Sequence, residues 1–145
     1  MDRTVPLAFA LLGVVLGAVG QLNSLAPALL RGPSLATLGP GFALLGGVLF
    51  LLSTVVVAWV GYRTGRRVNL PAEFGRFAAT AGAAGGLGFL VGGTTTLLVA
   101  PVPLDDVLAT VVFAVGYSAV TKGVSIGLYG LAGAAVGHFR ATGGV

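Results

Sequence analysis

The chain has 145 residues, of which 56% are hydrophobic and only 8% are charged, and its formal net charge is +4. An ordinary soluble domain carries about 25% charged residues to cover its surface, so this composition argues against a water-soluble fold. The absence of cysteine excludes disulfides, thiolate metal sites and a cysteine nucleophile.

Four long apolar blocks follow one another along the chain. Each reaches the roughly 20 residues that a helix needs to cross a hydrocarbon core about 30 Å thick. A transmembrane barrel would instead show segments of about ten residues that alternate apolar and polar side chains. The sequence therefore predicts an all-α integral membrane protein, a compact four-helix bundle in one transmembrane domain over residues 1–145. The predicted helices cover residues 5–26, 41–62, 74–100 and 107–137.

The first block has a basic start, an apolar middle and small residues near its end, as a secretory signal does. Its apolar run continues beyond that point, and no polar mature domain follows. We therefore expect the first helix to be retained. The connection after it, APALLRGPSLATLGPG, is rich in proline and glycine, which interrupt helices, and is predicted to be a loop.

The starts of the last two helices carry their own local signals. Pro71 suits a first helical turn, and Glu73 places a negative charge near the positive end of the helix dipole. Asp105 and Asp106 are predicted to do the same for the fourth helix.

The arginines predict the orientation of the helices. They precede the first block, surround the second connection and follow the fourth block, whereas the first connection has one arginine and the third connection has none. These residues are Arg3, Arg63, Arg66, Arg67, Arg76 and Arg140, with Arg31 in the first connection. The positive-inside bias then predicts a multi-pass protein of the cell membrane with both termini cytoplasmic. This topology explains the net charge without a nucleic-acid partner.

Small residues four positions apart predict where the helices pack. Such residues lie on one helix face and let backbones approach closely, where apolar burial gives no advantage over lipid. The predicted helix-packing residues are Gly13, Gly17, Ala84, Gly88, Gly92, Gly123 and Gly127. Seams on more than one face would also suit a homo-oligomer or a partner membrane protein.

The second and fourth blocks end in similar motifs, WVGYRTG and AVGHFRATGG. Two hairpins of the same orientation would form a parallel repeat, related by an axis along the membrane normal. Similar flanks also follow from similar topology, so both interpretations stay open.

Lys122 stands in the middle of the fourth block, in GYSAVTKGVSIGLYG. It lies roughly 24 Å along the predicted helix from Asp106, which is near mid-depth. Ser118, Ser125 and Tyr129 share its helix face. A lysine at the bilayer centre costs about 2.5 to 3.5 kcal/mol, and no acidic residue lies in any span. We therefore expect this polar stripe to face the bundle or a hydrated cavity.

Polar residues at matching depth occur in the other three blocks, including Ser53 and Thr54 in the second. Those of the first and third blocks complete a candidate intramembrane site. They are Gln21, Asn23, Thr94, Thr95 and Thr96. In one interpretation these residues and Lys122 bind an ion or a small solute, because intramembrane ionisable residues often mark pathways. In the other, Lys122 reaches outward or donates to backbone carbonyls, and the hydroxyls bond across helices.

The residues favour no catalysis, metal or cofactor. The sole histidine, His138, lies at the end of a helix, and the glycine-rich segment AGAAGGLGFLVGG follows no strand and precedes no Gly-Lys-Ser/Thr. The hypothesis is permeation or transport of a small ion or solute through the polar site around Lys122. The alternative is a non-catalytic structural or accessory subunit that packs against itself or a partner membrane protein.

The segment GFLVGGTTTLLVA, residues 88–100, resembles the third-helix segment of small four-helix fluoride channels, in which glycines precede paired threonines. The chain departs from that pattern elsewhere. Gln21 and its neighbours do not supply the first-helix arginine, the second block has no asparagine, and the phenylalanines expected after the threonines are missing. The resemblance covers this one segment, so it implies no activity for the chain.

Overall fold

The computed structural model of the chain describes residues 4–29, 35–66, 70–99 and 108–143. Every element within those ranges is helical, which confirms the all-α prediction. The helices are α1 (Thr4–Leu29), α2 (Leu35–Leu51), α3 (Val57–Gly65), α4 (Leu70–Val99) and α5 (Leu108–Thr142). A π-helical segment, Leu52–Val56, joins α2 to α3 in one continuous helical rod.

Four helical stretches in the described part of the chain are long and apolar enough to cross a membrane. They have 22, 27, 29 and 31 residues, and a helix rises about 1.5 Å per residue. Even the shortest therefore matches a hydrocarbon core of about 30 Å. The stretches are Thr4–Leu25, Gly39–Gly65, Pro71–Val99 and Val112–Thr142.

The helix ends differ from the prediction in the first connection. The predicted loop is too long, because α1 continues to Leu29 and α2 already begins at Leu35, with Pro40 inside it. An apolar helix with internally closed hydrogen bonds tolerates a proline more readily than the loop prediction assumed. Arg31, Asp105 and Asp106 lie outside the described residues.

The last two helices were predicted more closely. Helix α4 begins at Leu70, four residues before the predicted residue 74, and Glu73 lies in its first turn as its charge indicated. Helix α5 extends to Thr142, five residues beyond the predicted end at Gly137. Its last turn carries Arg140, whose positive charge suits the negative end of the helix dipole.

Helices α1 and α4 run parallel and cross at glycines. A methyl group at Gly13 would overlap the Gly85 carbonyl oxygen, and one at Gly88 would overlap the Ala10 carbonyl oxygen. The backbones are therefore in direct contact. The corresponding pairs one turn later are Gly17 with Phe89 and Gly92 with Val14. Residue numbers rise together along both helices, which is why the pair is parallel.

Helices α3 and α5 form a second parallel pair of the same kind. Methyl groups at Gly61 and Gly133 would overlap the carbonyl oxygens of Gly130 and Ala58, respectively. The corresponding pairs one turn later are Gly65 with Ala134 and Gly137 with Tyr62. Close backbone approach at small residues is a common way for helices to associate in membranes.

The two parallel crossings use glycines at equivalent places in the two halves of the chain. Gly88 lies 75 positions after Gly13, and Gly133 lies 72 positions after Gly61. In each pair the contact is reciprocal, because a glycine of each helix lies against a backbone carbonyl of the other helix. This is the arrangement expected of a parallel repeat. An alignment of WVGYRTG with AVGHFRATGG by their Val-Gly pairs would instead match Gly61 with Gly137. The structural equivalence of Gly61 with Gly133 therefore differs from that alignment by about one helical turn.

Helices α4 and α5 pack antiparallel through a looser glycine seam. A methyl group at Gly123 would lie 2.8 Å from the Gly82 carbonyl oxygen, and one at Gly86 would lie 3.1 Å from that of Ala119. Residue numbers rise along α4 as they fall along α5. Together the three contacts hold α4 between α1 and α5, and α5 between α4 and α3.

The bundle has two distinguishable ends. The end where α1 and α4 begin and α3 and α5 finish carries four arginines among the described residues, and we call it the basic end. They are Arg63, Arg66, Arg76 and Arg140, while Arg3 and Arg67 lie outside the described residues. The opposite end, where α1 and α4 finish and α2 and α5 begin, is called the far end. At the basic end the Arg63 guanidinium lies 4.8 Å from the Trp59 ring centre, within cation–π range.

The half of the bundle nearer the basic end contains the packed core. Phe9, Phe77, Val57 and Ile126 are its largest fully buried side chains. The rings of Phe9 and Phe77 meet edge to face, with centroids 6.0 Å apart. Gly130 makes room for Phe9, because a methyl group there would lie 2.9 Å from the ring. This half is therefore closed by aromatic and aliphatic side chains.

The far half of the second rod packs much less closely. Helix α2 has little contact with the rest of the bundle, and Leu44 and Phe50 are 74% and 64% exposed in the isolated chain. The π-helical segment lies between α2, which is loosely packed, and α3, which is tightly packed. The separation of α2 from its neighbours leaves room for a cavity.

Candidate functional site: the polar cavity beside Lys122

A cavity of about 450 Å³ lies between α1, α2 and α5 in the far half of the bundle. Its polar lining consists of Gln21, Ser24, Ser53, Ser118 and Lys122. Its apolar lining includes Leu16, Leu49, Phe50 and Phe89, and two glycines complete the wall. The cavity is open to its surroundings, because Ser24, Phe50 and Lys122 are exposed at its edge.

Helix α5 contributes Ser118 and Lys122, which lie four residues apart and so face the cavity from successive turns. Among the lining residues that the structure describes, Lys122 carries the only charge. The Ser118 hydroxyl makes no hydrogen bond to any residue within the described ranges, whereas Thr121 and Ser125 bond back to carbonyls of their own helix. Ser118 is thus available to a solute beside the Lys122 side chain.

Helix α1 contributes Gln21 and Ser24. The Ser24 hydroxyl donates to the Gln21 backbone oxygen at 2.8 Å, and it also lies 3.0 Å from the Gln21 side-chain oxygen Oε1. A serine bond to Oε1 leaves the NH₂ group of the Gln21 amide to act as donor elsewhere. Gln21 packs over Gly93 of α4, where a methyl group would lie 3.4 Å from the Gln21 side chain.

The second rod contributes Ser53, which lies in the π-helical segment. The Phe50 carbonyl oxygen accepts hydrogen bonds from the Ser53 hydroxyl at 3.1 Å and from the Thr54 hydroxyl at 2.6 Å. A π-helical turn shifts the backbone bonds from i−4 to i−5, and hydroxyls can satisfy the carbonyls affected. Such turns occur frequently at functional sites, and this one forms a wall of the cavity.

The side of the cavity toward the basic end is closed. Leu16 is buried there, and the Phe89 ring lies beside Gly20, where a methyl group would be 3.8 Å from it. Beyond these residues the α1–α4 crossing at Gly13 and the packed core fill the bundle. The cavity is therefore a pocket with one closed side.

The cavity brings together three of the nine residues predicted from the sequence for an intramembrane site: Gln21, Ser118 and Lys122. Ser125 and Tyr129 share their helix face but lie nearer the basic end, where α5 meets Phe9 at Gly130. The polar stripe is thus longer than the cavity. Ser125 instead donates to the Thr121 carbonyl at 2.9 Å.

The structure does not place the three threonines of α4 on the cavity. Thr95 and Thr96 donate to the carbonyls of Val91 and Gly92 in their own helix, and Thr94 is exposed. The only part of α4 among the lining residues is Phe89.

Asn23 also lies off the cavity. Its side-chain oxygen is buried and has no hydrogen-bond partner among the residues that the structure describes. Ser24 was not among the residues singled out from the sequence. The signal for it was weak, since it only follows Gln21 and Asn23 in QLNS.

The residues predicted to pack helices fall into two groups. Gly13, Gly17, Gly88 and Gly92 form the α1–α4 crossing, while Gly123 and Gly127 face α4 across the antiparallel seam. Ala84 is partly buried against the core. The sequence interpretation missed the α3–α5 crossing, although Gly61 with Gly65 and Gly133 with Gly137 have the same spacing.

A second cavity of about 650 Å³ runs along the seam between α4 and α5. Its lining is made of alanine, glycine, valine and leucine side chains, including Ala79, Ala83, Val120 and Val124. It has no ionisable or hydrogen-bonding side chain. This groove offers van der Waals contact alone, unlike the cavity beside Lys122.

Comparison with protein-family models, with curated proteins and with solved structures finds no match to this chain. The functional argument therefore rests on the residues of the chain itself. Their chemistry is a lysine ammonium, a glutamine amide and three serine hydroxyls around one opening. The Ser24 and Ser53 hydroxyls already donate to backbone oxygens, which leaves the Lys122 ammonium, the Gln21 NH₂ group and the Ser118 hydroxyl as donors. No carboxylate lies among the lining residues that the structure describes.

Proposed function

We propose that the chain is a multi-pass protein of the cell membrane that carries a small ion or solute across the bilayer through the cavity beside Lys122. Both termini are cytoplasmic in this proposal, because the arginines at the basic end follow the positive-inside bias. The observation that carries the proposal is the cavity itself, in which a lone lysine meets hydrogen-bonding groups from three helical rods.

The electrostatics of the site support a bound solute. A lysine at the bilayer centre costs about 2.5 to 3.5 kcal/mol, and no carboxylate among the lining residues offsets that cost. A solute with negative charge or strong acceptor groups would offset it, and water does so when the solute is absent. Intramembrane ionisable residues that face a hydrated cavity often mark solute pathways.

The closed side of the cavity bears on the mode of transport. Phe89, Leu16 and the α1–α4 crossing separate the cavity from the basic end. An open channel would leave a continuous path. We therefore expect a carrier, in which the helix pairs must shift against each other before the solute leaves toward the basic end.

The alternative function, a structural or accessory subunit, has an observation of its own in its favour. Helix α2 presents Leu44, Val48 and Leu51 outward, each at least half exposed in the isolated chain. A partner membrane protein or a second copy could cover this surface. Gly88 and Gly92 are no part of it, because they already pack against α1 within the chain.

The test is solute flux into liposomes that contain the purified protein. Vesicles are shrunk osmotically with salts of different anions or with neutral solutes, and light scattering follows solute entry. We expect faster entry of at least one solute than in protein-free vesicles. We also expect Lys122→Met to lower that rate about tenfold or more, because it removes the charge that binds the solute.

Thr121→Val is the matched control. Thr121 neighbours Lys122 but is exposed and does not line the cavity, so its replacement should leave the flux unchanged. The proposal is rejected if no solute enters faster than in empty vesicles, or if Lys122→Met transports as wild type does. Absence of flux together with co-purification of a second membrane protein would favour the accessory role.

A further inference from the structure

We propose that the solute is a monocarboxylate with a short apolar tail, whose carboxylate binds beside Lys122 and whose tail contacts Leu49, Phe50 and Phe89. This inference rests on the proposed function and names the class of solute. It follows from three properties of the cavity: its charge, its donor groups and its apolar wall.

The charge of the cavity selects a monovalent anion. Lys122 is the only charged residue in the lining within the described part of the chain, so one negative charge neutralises this lining. A dianion would leave one charge uncompensated in surroundings of low dielectric, where an unpaired ion is very costly. A cation would meet the like charge of Lys122 without any carboxylate to hold it.

The donor groups of the cavity suit the two oxygens of a carboxylate. The NH₂ group of the Gln21 amide is a donor, and it is the amide oxygen rather than this group that lies next to the Ser24 hydroxyl, at 3.0 Å. The Ser118 hydroxyl is unbonded within the described part of the chain and lies one turn from Lys122. An ionised carboxylate accepts hydrogen bonds only, with about four lone-pair sites. Ammonium, amide and hydroxyl donors therefore match it.

The size and the apolar wall of the cavity argue for a tail. The volume of about 450 Å³ corresponds to roughly 15 water molecules at the density of liquid water. A bare halide would fill little of it and would leave Leu49, Phe50 and Phe89 against water. An alkyl tail that covers this wall gains about 0.8 kcal/mol per buried CH₂, which corresponds to about a fourfold gain in affinity.

The experiment is calorimetric titration of the full chain in phosphatidylcholine nanodiscs at pH 7 with acetate, butyrate and hexanoate. Chloride and inorganic phosphate serve as comparison anions. We expect the dissociation constant to fall up to about fourfold for each added CH₂. Chloride and phosphate should bind at least tenfold more weakly than hexanoate.

Variants connect the binding to the cavity. We expect Lys122→Met to weaken hexanoate binding about 10- to 100-fold, because a hydrogen bond to a charged group contributes about 1.5 to 3 kcal/mol. Lys122→Arg keeps the charge and should retain most of the affinity. Thr121→Val should bind as wild type does, since Thr121 lies outside the cavity.

The outcomes separate this inference from the proposed function. Binding of chloride or phosphate as tight as that of hexanoate, or affinity that does not change with chain length, would overturn the monocarboxylate inference. Flux of another solute that depends on Lys122 would then still support the proposed function. Chain-length-dependent binding that is lost in Lys122→Met and kept in Lys122→Arg supports the inference.

Discussion

The two halves of this bundle are built from the same helices but packed in opposite ways. In the half near the basic end, glycines bring backbones into direct contact and Phe9, Phe77 and Val57 are fully buried. In the far half, α2 stands away from its neighbours and leaves an open cavity with Lys122 in its wall. The comparison indicates that the packed half can hold the helices together while the far half is left open for a solute.

Glycine itself has a different role in each half. At Gly88 and Gly133 no side chain fits, because a methyl group would overlap a carbonyl oxygen of the neighbouring helix. At Gly46, which lines the cavity, nothing lies within 4 Å of that position. Glycine is thus a packing requirement at the helix crossings and a space at this position of the cavity wall, and substitutions can separate the two roles.

The largest effect is expected at the parallel crossings. Gly88→Ala or Gly133→Ala forces two backbones apart, and overpacking of this kind costs about 1 to 3 kcal/mol or more. We expect each variant to unfold at lower denaturant than wild type, as measured by circular dichroism during SDS titration of the protein in mild detergent.

Gly116→Ala is the control for this prediction. Gly116 also lies inside a helix, but no atom lies within 4 Å of an added methyl group, and alanine has the higher helix propensity. Its stability should equal or slightly exceed that of wild type. Equal stability of Gly88→Ala and Gly116→Ala would contradict the crossing described above.

A smaller effect on stability, but a specific effect on function, is expected in the cavity. Gly46→Leu adds a large apolar side chain at a residue that lines the cavity, where no described atom lies within 4 Å of the added Cβ. We expect stability within about 1 kcal/mol of wild type and solute flux in liposomes reduced several-fold.

Gly75→Leu is the matched control, since Gly75 has equally open surroundings but lies near the start of α4, away from the cavity. Its flux should match that of wild type. If Gly46→Leu transports normally, the solute does not pass through this cavity.

The helices and part of the packing could be predicted from the sequence. Apolar blocks of sufficient length determine where helices form, and the four-residue spacing of Gly13 with Gly17 and Gly88 with Gly92 marks the faces that meet. The crossing of α3 with α5 could also have been found, because GYRTG and GAAVG have the same spacing. The glycine spacing of GYRTG was overlooked because this segment contains polar residues and lies at the basic end.

The composition of the site was harder to predict. A shared helix face does relate Ser118, Lys122, Ser125 and Tyr129, but the height of the cavity depends on where Phe9 and Phe89 close the bundle. Those contacts join residues far apart in the chain. The π-helical segment, which begins at Leu52, likewise leaves no distinct pattern in the sequence.

The central claim is that water reaches the cavity beside Lys122 while the packed half stays dry. The chain has no cysteine, so single cysteines can report on water access without background. The three variants are Ser118→Cys in the cavity, Val57→Cys in the core and Val124→Cys on an exposed face away from the cavity.

The decisive measurement is labelling of these three variants in liposomes by a water-soluble, membrane-impermeant thiol reagent. The thiolate is the reactive form, so labelling requires hydration. We expect Ser118→Cys to react at least tenfold faster than Val57→Cys, which is buried in the core, and than Val124→Cys, which lines the apolar groove between α4 and α5 and is expected to lie against acyl chains. Labelling of Ser118→Cys as slow as that of Val57→Cys would contradict a hydrated site at Lys122, and rapid labelling of Val124→Cys would contradict insertion of α5 in the bilayer.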